Sequence, residues 1–405
     1  MKKKIDEYII LEKIRDVIYN NIDFEKDVGV ISGISGTMIF TLLLAKLLKS
    51  DEEYEKAKEL INLCINKINN GYNFPTFGRG ITGFLWTLQF LEEKKIVEIN
   101  NDSFFSQLDD SISDLMISDI KNGNYDLLHG ALGYGMLFLK RYKNTQDLDL
   151  KQKYKSKIIH LIKLLDESKI ENEKGIAWSI PRNFGKEDEV NIDLGLAHGM
   201  SSILSFLSLV YKENIDTNRI EYLLKSTSKF VLSTKRTKKN RISLFPAYEC
   251  LSHKKEDYPS RLSWCYGDLG IGLSLLKAGE SIKDQNIKKE AIDILLHSSK
   301  RRSLEENSVM DAGLCHGAYG LFHIYGKLFK STQITDFEKA SKYWKEIGDS
   351  MINFDQNQDI YYHIHLGDRD WSKPYSLLEG VTGIGLSIIS SLTDYEIEWD
   401  QCLLI

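Results

Sequence analysis

The chain is poor in the residues that break helices and in those that staple small folds. Only 5 of its 405 residues are proline, which disfavours a fold of many short strands joined by proline-bearing turns. Cysteines are equally few, and their number, 5, is odd; that argues against the paired framework of a disulfide-stapled secreted domain. An excess of one charge is missing too. With 53 basic against 58 acidic residues and a net charge of −5, no strong field for nucleic acid arises, and nucleic acid is not expected as a partner. Acidic and basic residues are interspersed throughout, as on solvated helix faces.

A secretory leader is also not legible. Met1-Lys2-Lys3-Lys4 is followed by Asp6 and Glu7 rather than by an apolar run, which points to a cytoplasmic protein. One stretch, Val28 to Ala45, is uncharged for 18 residues and just reaches the length of a membrane span. It carries Gly29, Gly33 and Gly36 among serines and threonines, and its motif recurs, so it reads as a buried core helix.

What the sequence has in plenty is one turn. It appears as Ser32-Gly33-Ile34-Ser35-Gly36, Arg79-Gly80-Ile81-Thr82-Gly83, His129-Gly130-Ala131-Leu132-Gly133 and His198-Gly199-Met200-Ser201-Ser202. It returns as Tyr266-Gly267-Asp268-Leu269-Gly270, His316-Gly317-Ala318-Tyr319-Gly320 and Glu379-Gly380-Val381-Thr382-Gly383. Six of the seven copies keep both glycines, and the fourth has Ser202 in place of the second. An apolar run follows each turn, for example Thr37 to Leu48, Phe84 to Leu91 and Ile384 to Leu392. The first glycines stand 47 to 69 residues apart, which leaves room for a second, more polar helix such as Glu52 to Asn69 or Lys151 to Leu165.

Self-similarity at this period indicates stacked helix pairs, with inner helices apolar nearly all round because an outer layer encloses them. The glycines permit a tight turn and close backbone approach. The predicted fold class is all-α, and seven helix pairs can close into an α/α toroid within a single domain over residues 1–405. Periodicity alone leaves an open solenoid as the other outcome. Two intervals, about 144–193 and 212–261, are longer than the rest and are expected to hold insertions. Their short apolar runs, Trp178-Ser179-Ile180-Pro181-Arg182 and Ile242-Ser243-Leu244-Phe245-Pro246-Ala247-Tyr248, read as loops or edge strands that line a peptide-sized cleft, or as plain connections.

Closure of the ring would bring the residue before each first glycine to one mouth near the axis. Those residues are Ser32, Arg79, His129, His198, Tyr266, His316 and Glu379, and one place further back stand Cys265 and Cys315. Cys265, Cys315 and His316 thus sit in matching slots of two copies. Two thiolates and an imidazole are three good zinc ligands, and a three-ligand site keeps one position open for chemistry. A closed structural site would need a fourth protein ligand, yet Cys64, Cys250 and Cys402 hold no equivalent slot. One zinc per chain is expected.

The set His198-Gly199, Arg261-x-x-Trp264-Cys265-Tyr266-Gly267 and Cys315-His316-Gly317, in that order, resembles the lanthionine synthetase C-like proteins. Within them it is most similar to the stand-alone lanthionine cyclases. The likeness runs from the first Gly-x-x-Gly to the terminal Trp399-Asp400-Gln401-Cys402-Leu403-Leu404. It implies the α/α toroid and an enzyme that adds cysteine thiols of a dehydrated, leader-bearing precursor peptide to dehydroalanine or dehydrobutyrine, making the thioether rings of a lanthipeptide. It further implies a separate dehydratase and a transporter as partners in a membrane-associated complex, with this chain peripheral at the inner face of the cell membrane. A free thiol, with a pKa of about 8.5, is only a few per cent ionised at neutral pH, whereas a coordinating thiol is deprotonated. Two thiolate ligands make zinc less electrophilic than three imidazoles would, and so leave a bound sulfur nucleophilic.

By the same resemblance, His198 gives the proton that the enolate of thiol addition requires. Asp126, in Tyr125-Asp126-Leu127-Leu128, is the aspartate near that histidine, and Arg261 and Tyr266 support the site electrostatically. Plainer readings stand beside these: a helix N-cap for Asp126 and a surface salt bridge for Arg261. His129 fills the slot equivalent to His198 and is a rival acid, although a packed core histidine is the plainer reading. His323, seven residues after His316, reads as packing, and His363-Ile364-His365 as a weak pair of metal ligands. Two other functions compete. A glycosidase on a similar scaffold needs two carboxylates, for which Glu379 and Asp126 can be offered, but it leaves the cysteines unexplained. A zinc protein that binds a thiol such as glutathione without closing a ring keeps the metal, and the presence of His198 and Asp126 favours the cyclase over it.

Overall fold

The computed structural model describes residues 6–98, 102, 106–179, 190–236, 241–252, 259–354, 360–362, 375–393 and 397–405. Its contacts divide the chain into two compact units, one of Met1–Glu98 with Ser308–Cys402 and the other of Ile99–Asn307 with Leu403–Ile405. Every glycine turn is followed by a helix whose N-cap is the first glycine of the motif. In the first unit these inner helices are Ile34–Leu48, Ile81–Glu93, Ala318–Thr332 and Val381–Leu392. In the second they are Ala131–Asn144, Met200–Lys212 and Asp268–Ser281.

The reason for glycine at the N-cap is local. The carbonyl six residues before it accepts the N–H of the residue after it, as in Ile34 to Asp27 (3.0 Å), Ile81 to Phe74 (2.9 Å), Ala131 to Asn124 (3.0 Å) and Ala318 to Asp311 (3.0 Å). One of the orphan donors of the first helical turn is thereby satisfied. The same closure leaves no room for a side chain: a Cβ on Gly80 would lie 2.2 Å from the Phe74 carbonyl oxygen, and one on Gly199 2.3 Å from that of Asp193. Gly267 alone of the seven needs a left-handed backbone, with φ 89°. The second glycine is crowded by the carbonyl three residues before the first, for instance Gly83 by Phe77 at 2.0 Å. Ser202 replaces that glycine in the fourth repeat by turning its hydroxyl onto the Gly199 carbonyl at 2.7 Å.

The inner helices are enclosed as expected. Every residue from Ile34 to Ala45 is buried, so the uncharged Val28 to Ala45 stretch does contain a core helix, and no helix among the described residues is long and apolar enough to cross a membrane. Side chains such as Ile39 and Leu43, at 0% and 1% exposure, each contribute about 1.5–3 kcal/mol by leaving water. The outer helices are amphipathic. Asp51–Asn69 turns Ala57, Leu60 and Cys64 inward onto Ile34–Leu48. Leu148–Glu167, Thr217–Ser233, Gln285–Ser298 and Thr335–Ser350 cover Ala131–Asn144, Met200–Lys212, Asp268–Ser281 and Ala318–Thr332 in the same way.

Sequence order is kept within each unit. In the second, Met200–Lys212 packs between Ala131–Asn144 and Asp268–Ser281. In the first, Val381–Leu392 packs between Ala318–Thr332 and Ile34–Leu48, so the last repeat meets the first. The outer partner of Val381–Leu392 comes from the other end of the chain, the amphipathic helix Glu7–Tyr19. The described residues also hold three two-stranded antiparallel pairs: Ile170–Asn172 with Gly175–Ala177, Asn191–Asp193 with Tyr248–Cys250, and Ile352–Phe354 with Ile360–Tyr362. Each of the two long intervals of the sequence holds an outer helix, Leu148–Glu167 and Thr217–Ser233. Three described residues of each interval also meet as strands, with Asp193 opposite Tyr248.

Candidate active site

Neighbouring turns are laced backbone to backbone, and this decides which side chains reach solvent. In the second unit Leu196 and Ala197 donate to the Cys265 carbonyl at 2.9 and 3.4 Å; in the first, Leu314 and Cys315 donate to that of Leu378 at 3.1 and 3.0 Å. The position two before the first glycine carries the lacing and is buried in every repeat, Cys265 and Cys315 included, whereas the position between it and the glycine is half-buried or exposed in every repeat. Ser32, His129, His198, Tyr266 and His316 are half-buried there, and Arg79 and Glu379 exposed.

In the second unit Asp126 pairs with His198, and Tyr266 joins two residues that the sequence did not single out, Asp193 and Tyr248. Asp126 is buried at 6% exposure. Its Oδ1 accepts the Leu128 and His129 backbone N–H groups at 2.7 and 2.9 Å, while Oδ2 lies 2.6 Å from Nδ1 of His198. The N-cap of the following helix is Gly130, so Asp126 braces the turn before it instead of capping the helix, and its other oxygen meets His198. With Nδ1–H directed at a carboxylate, Nε2 is the nitrogen left for a substrate. The His129 ring lies 6.3 Å from that of His198 at an interplanar angle of 22°, so the rival acid belongs to the same cluster rather than to the core.

Tyr266 donates its phenolic proton to Asp193 Oδ2 at 3.2 Å and accepts one from Tyr248 at 2.8 Å. Burial pushes the Tyr266 hydroxyl well above the usual tyrosine range, and the Asp193 carboxylate and Tyr248 push it in the same direction. At neutral pH it is a neutral donor. Arg261 is exposed, and its carbonyl oxygen is what a Cβ on Gly267 would strike, at 2.3 Å. Ser263 Oγ lies 3.4 Å from Cys265 Sγ, and Trp264 anchors the turn through Nε1 to the Leu403 carbonyl at 2.8 Å.

In the first unit, Cys315 and His316 follow Asp311, a carboxylate at 1% exposure. Asp311 Oδ1 accepts the Gly313 N–H at 2.8 Å, and Oδ2 lies 2.9 Å from His316 Nε2. No disulfide joins any of the five cysteines. Among the described residues no three His, Cys, Asp and Glu side chains are grouped as a metal site, and Cys265 belongs to one unit while Cys315 and His316 belong to the other. The donor chemistry suits zinc: buried thiols, and an imidazole with a carboxylate against its second nitrogen.

The remaining histidines and carboxylates fall into place. His323 Nε2 lies 2.8 Å from the buried Asp400, beside Lys327 and tilted against Trp399, where it lines a cavity of about 270 Å³. Packing was the expectation, and a buried charge cluster is the fuller description. His363 and His365, like Ile180, Pro181 and Arg182, lie outside the described residues. Of the carboxylates offered for glycoside hydrolysis, Glu379 is exposed and Asp126 has both oxygens engaged. Sequence reasoning missed Asp193, Tyr248 and Asp311. A signal for the aspartates existed, because both stand six residues before a first glycine, as Asp27 does.

Fold and site together define a helical-repeat protein that carries an imidazole–carboxylate pair and buried thiols on its glycine turns. The chain belongs to the lanthionine synthetase C-like family, which it matches over residues 25–404. It is 25% identical over 404 residues to the nisin biosynthesis protein NisC of Lactococcus lactis subsp. lactis, a likeness covering 94% of this chain and 90% of that protein. Among solved structures it is similar to nisin cyclase, with a TM-score of 0.75 at 17% identity over 98% of this chain and 97% of the other. The fold class is accordingly the expected one, all-α of the α/α-toroid type.

Proposed function

We propose that this chain is a zinc-dependent lanthionine cyclase that adds cysteine thiols of a dehydrated precursor peptide to dehydroalanine or dehydrobutyrine. The observation that carries the reading is the buried Asp126 carboxylate 2.6 Å from Nδ1 of His198, in a chain of this family. Each ring closure forms one C–S bond, turns the C=C bond into an enolate and ends with a proton on the α-carbon. The proton lost by sulfur equals the one gained by carbon, so no oxidant or reductant is consumed. Asp126 holds Nδ1–H and offsets the charge of the imidazolium, which leaves Nε2 to receive a proton and to give one to the α-carbon. Zinc held by Cys265, Cys315 and His316, when bound, supplies a substrate thiol already deprotonated at neutral pH. Tyr266, as a neutral phenol, and Arg261, as a cation, favour the enolate.

On this reading residues 1–405 form one cyclase domain that works in the cytoplasm on a leader-bearing peptide. A dehydratase and a transporter are its partners at the inner face of the membrane. The test is to incubate the purified, zinc-analysed protein with a dehydrated cysteine-containing precursor. Ring closure leaves the mass unchanged, so it is read as loss of alkylatable thiols by mass spectrometry, against a protein-free control. If zinc and peptide both bind and the thiols stay alkylatable, the cyclase reading falls and a thiol-binding protein takes its place.

A further inference from the structure

We propose that Asp311 is a positioning residue that fixes His316 as a metal ligand through Nδ1, an inference that rests on the zinc reading above. The argument begins with a slot. Aspartate stands six residues before the first glycine in the first, fourth and sixth repeats, as Asp27, Asp193 and Asp311. In all three the carboxylate is divided between two tasks. Asp193 uses Oδ1 for the Gly195 N–H at 2.6 Å and Oδ2 for the Tyr266 hydroxyl at 3.2 Å. Asp27 uses Oδ1 for the Tyr72 hydroxyl at 3.2 Å and Oδ2 for Arg79 Nε at 2.8 Å. Asp311 uses Oδ1 for the Gly313 N–H at 2.8 Å and turns Oδ2 to His316 Nε2 at 2.9 Å.

Tyr266, Arg79 and His316 all occupy the position before a first glycine, which is half-buried or exposed. One oxygen steadies the carboxylate and the other steers the side chain at that position. The Asp311 contact is therefore one instance of a repeated device and not an isolated ion pair.

Two further observations fix its direction. A Cβ on Gly317 would lie 2.2 Å from Asp311 Oδ1, so the carboxylate is wedged beneath the N-cap glycine and has no second seat. Asp311 Oδ2 is buried and no described group, His316 included, gives it an aligned hydrogen bond, although His316 Nε2 lies 2.9 Å away. A buried carboxylate oxygen is costly without a partner, and the imidazole proton on Nε2 is the partner within reach. A proton held there leaves the lone pair on Nδ1, and a ligating histidine has its second nitrogen held by a carboxylate in just this manner.

The experiment compares wild type, Asp311→Asn and Asp27→Asn by competitive zinc titration against a chromophoric chelator. Cobalt spectra are recorded on the same proteins. Asparagine keeps an acceptor for the Gly313 N–H but offers His316 an NH₂ group, which favours the tautomer that blocks Nδ1. Asp311→Asn should bind zinc about 10–100-fold more weakly and change the cobalt ligand-field bands. Asp27→Asn alters the same slot beside a residue that is no ligand and should match wild type. Nitrogen-15 shifts of the His316 ring in metal-loaded wild type give a readout that requires no variant to fold, with Nδ1 bound and Nε2 protonated as the expected result. Wild-type zinc affinity in Asp311→Asn, or coordination through Nε2, overturns this inference and leaves the zinc reading intact. A wild-type protein that binds no zinc overturns both.

Discussion

Replacing Asp126 by asparagine separates the two tasks of its carboxylate. The Leu128 and His129 N–H groups lie 2.7 and 2.9 Å from Oδ1, and His198 Nδ1 lies 2.6 Å from Oδ2. Asparagine has the same shape and can keep a carbonyl oxygen on the two backbone donors, so the turn should survive. Its NH₂ group then faces Nδ1, which must accept instead of donate, and it brings no negative charge to offset an imidazolium. A hydrogen bond to a charged group contributes about 1.5–3 kcal/mol, and each 1.36 kcal/mol in a barrier is about tenfold in rate. Ring closure should therefore slow by about 10–100-fold. His198→Ala removes the acid itself and should cost about 10²–10⁴-fold. Asp126→Ala is a poorer probe, because two buried N–H groups would lose their acceptor at about 1–3 kcal/mol each and fold would be lost along with chemistry. The assay is single-turnover cyclisation of a dehydrated precursor, quenched with an alkylating reagent and counted by mass spectrometry, with zinc content and thermal unfolding measured on each variant. An Asp126→Asn protein that is as folded and as metal-loaded as wild type and closes rings at the wild-type rate would refute the reasoning.

Cys315→Ala should lose zinc and ring formation together while His198→Ala keeps its zinc; near-stoichiometric zinc in the cysteine variant, by elemental analysis, would sink the ligand assignment. His129→Ala, 6.3 Å away ring to ring, should keep most of the activity, and a deeper loss than in His198→Ala would mean that the acid belongs to the third repeat. Gly83→Ala places a Cβ 2.0 Å from the Phe77 carbonyl oxygen and 2.6 Å from the Val30 nitrogen, both backbone atoms; overpacking of this kind costs about 1–3 kcal/mol or more, and an unchanged denaturation midpoint would contradict it. Burial works to raise the Asp400 pKa, but Lys327 and His323 outweigh it and hold the carboxyl below its ordinary 3.8. The group therefore stabilises the fold above that pH and ceases to as pH falls through its lowered value. Lys327→Met should shift the acid limb of the thermal stability profile to higher pH, and parallel profiles for variant and wild type would dispose of that account.

The fold was legible because its cause is short-range. A carbonyl six residues before a glycine and a Cβ that would strike it are a local constraint, so the same spacing had to recur wherever the turn did. The chemistry at the turns was legible for the same reason: Cys265, Cys315, His316 and His198 fall in fixed slots of that repeat. What crossed repeats was hidden. Asp126 and His198 are 72 residues apart, and no slot relates them; resemblance joined them where periodicity could not. Tyr248 reaches Tyr266 because Asn191–Asp193 pairs with Tyr248–Cys250 in a register set by backbone hydrogen bonds, about which the surrounding residue types say little. The helix Glu7–Tyr19 has an ordinary amphipathic pattern, and nothing in it announced that it covers the last inner helix. The aspartate slot was visible yet overlooked, since the other repeats fill it with Phe74, Asn124, Arg261 and Pro374.

That variation says how one turn can serve structure and chemistry at once. The glycine, the carbonyl six residues earlier and the buried position of the lacing are committed to backbone geometry, and changing any of them damages the turn. The position before the glycine is the free one, because it is half-buried or exposed in every repeat. A side chain that only faces solvent, however, is not held in any orientation, and proton transfer and metal ligation both require one. The carboxylates of Asp27, Asp193 and Asp311, and of Asp126 from a neighbouring position, provide it for Arg79, Tyr266, His316 and His198. In Asp126, Asp193 and Asp311 the second oxygen is bound to the backbone of the turn itself. Loop stability and side-chain orientation are thus coupled through single residues. Truncating such an aspartate must disturb both, whereas the isosteric asparagine keeps the loop and changes only what the steered side chain meets.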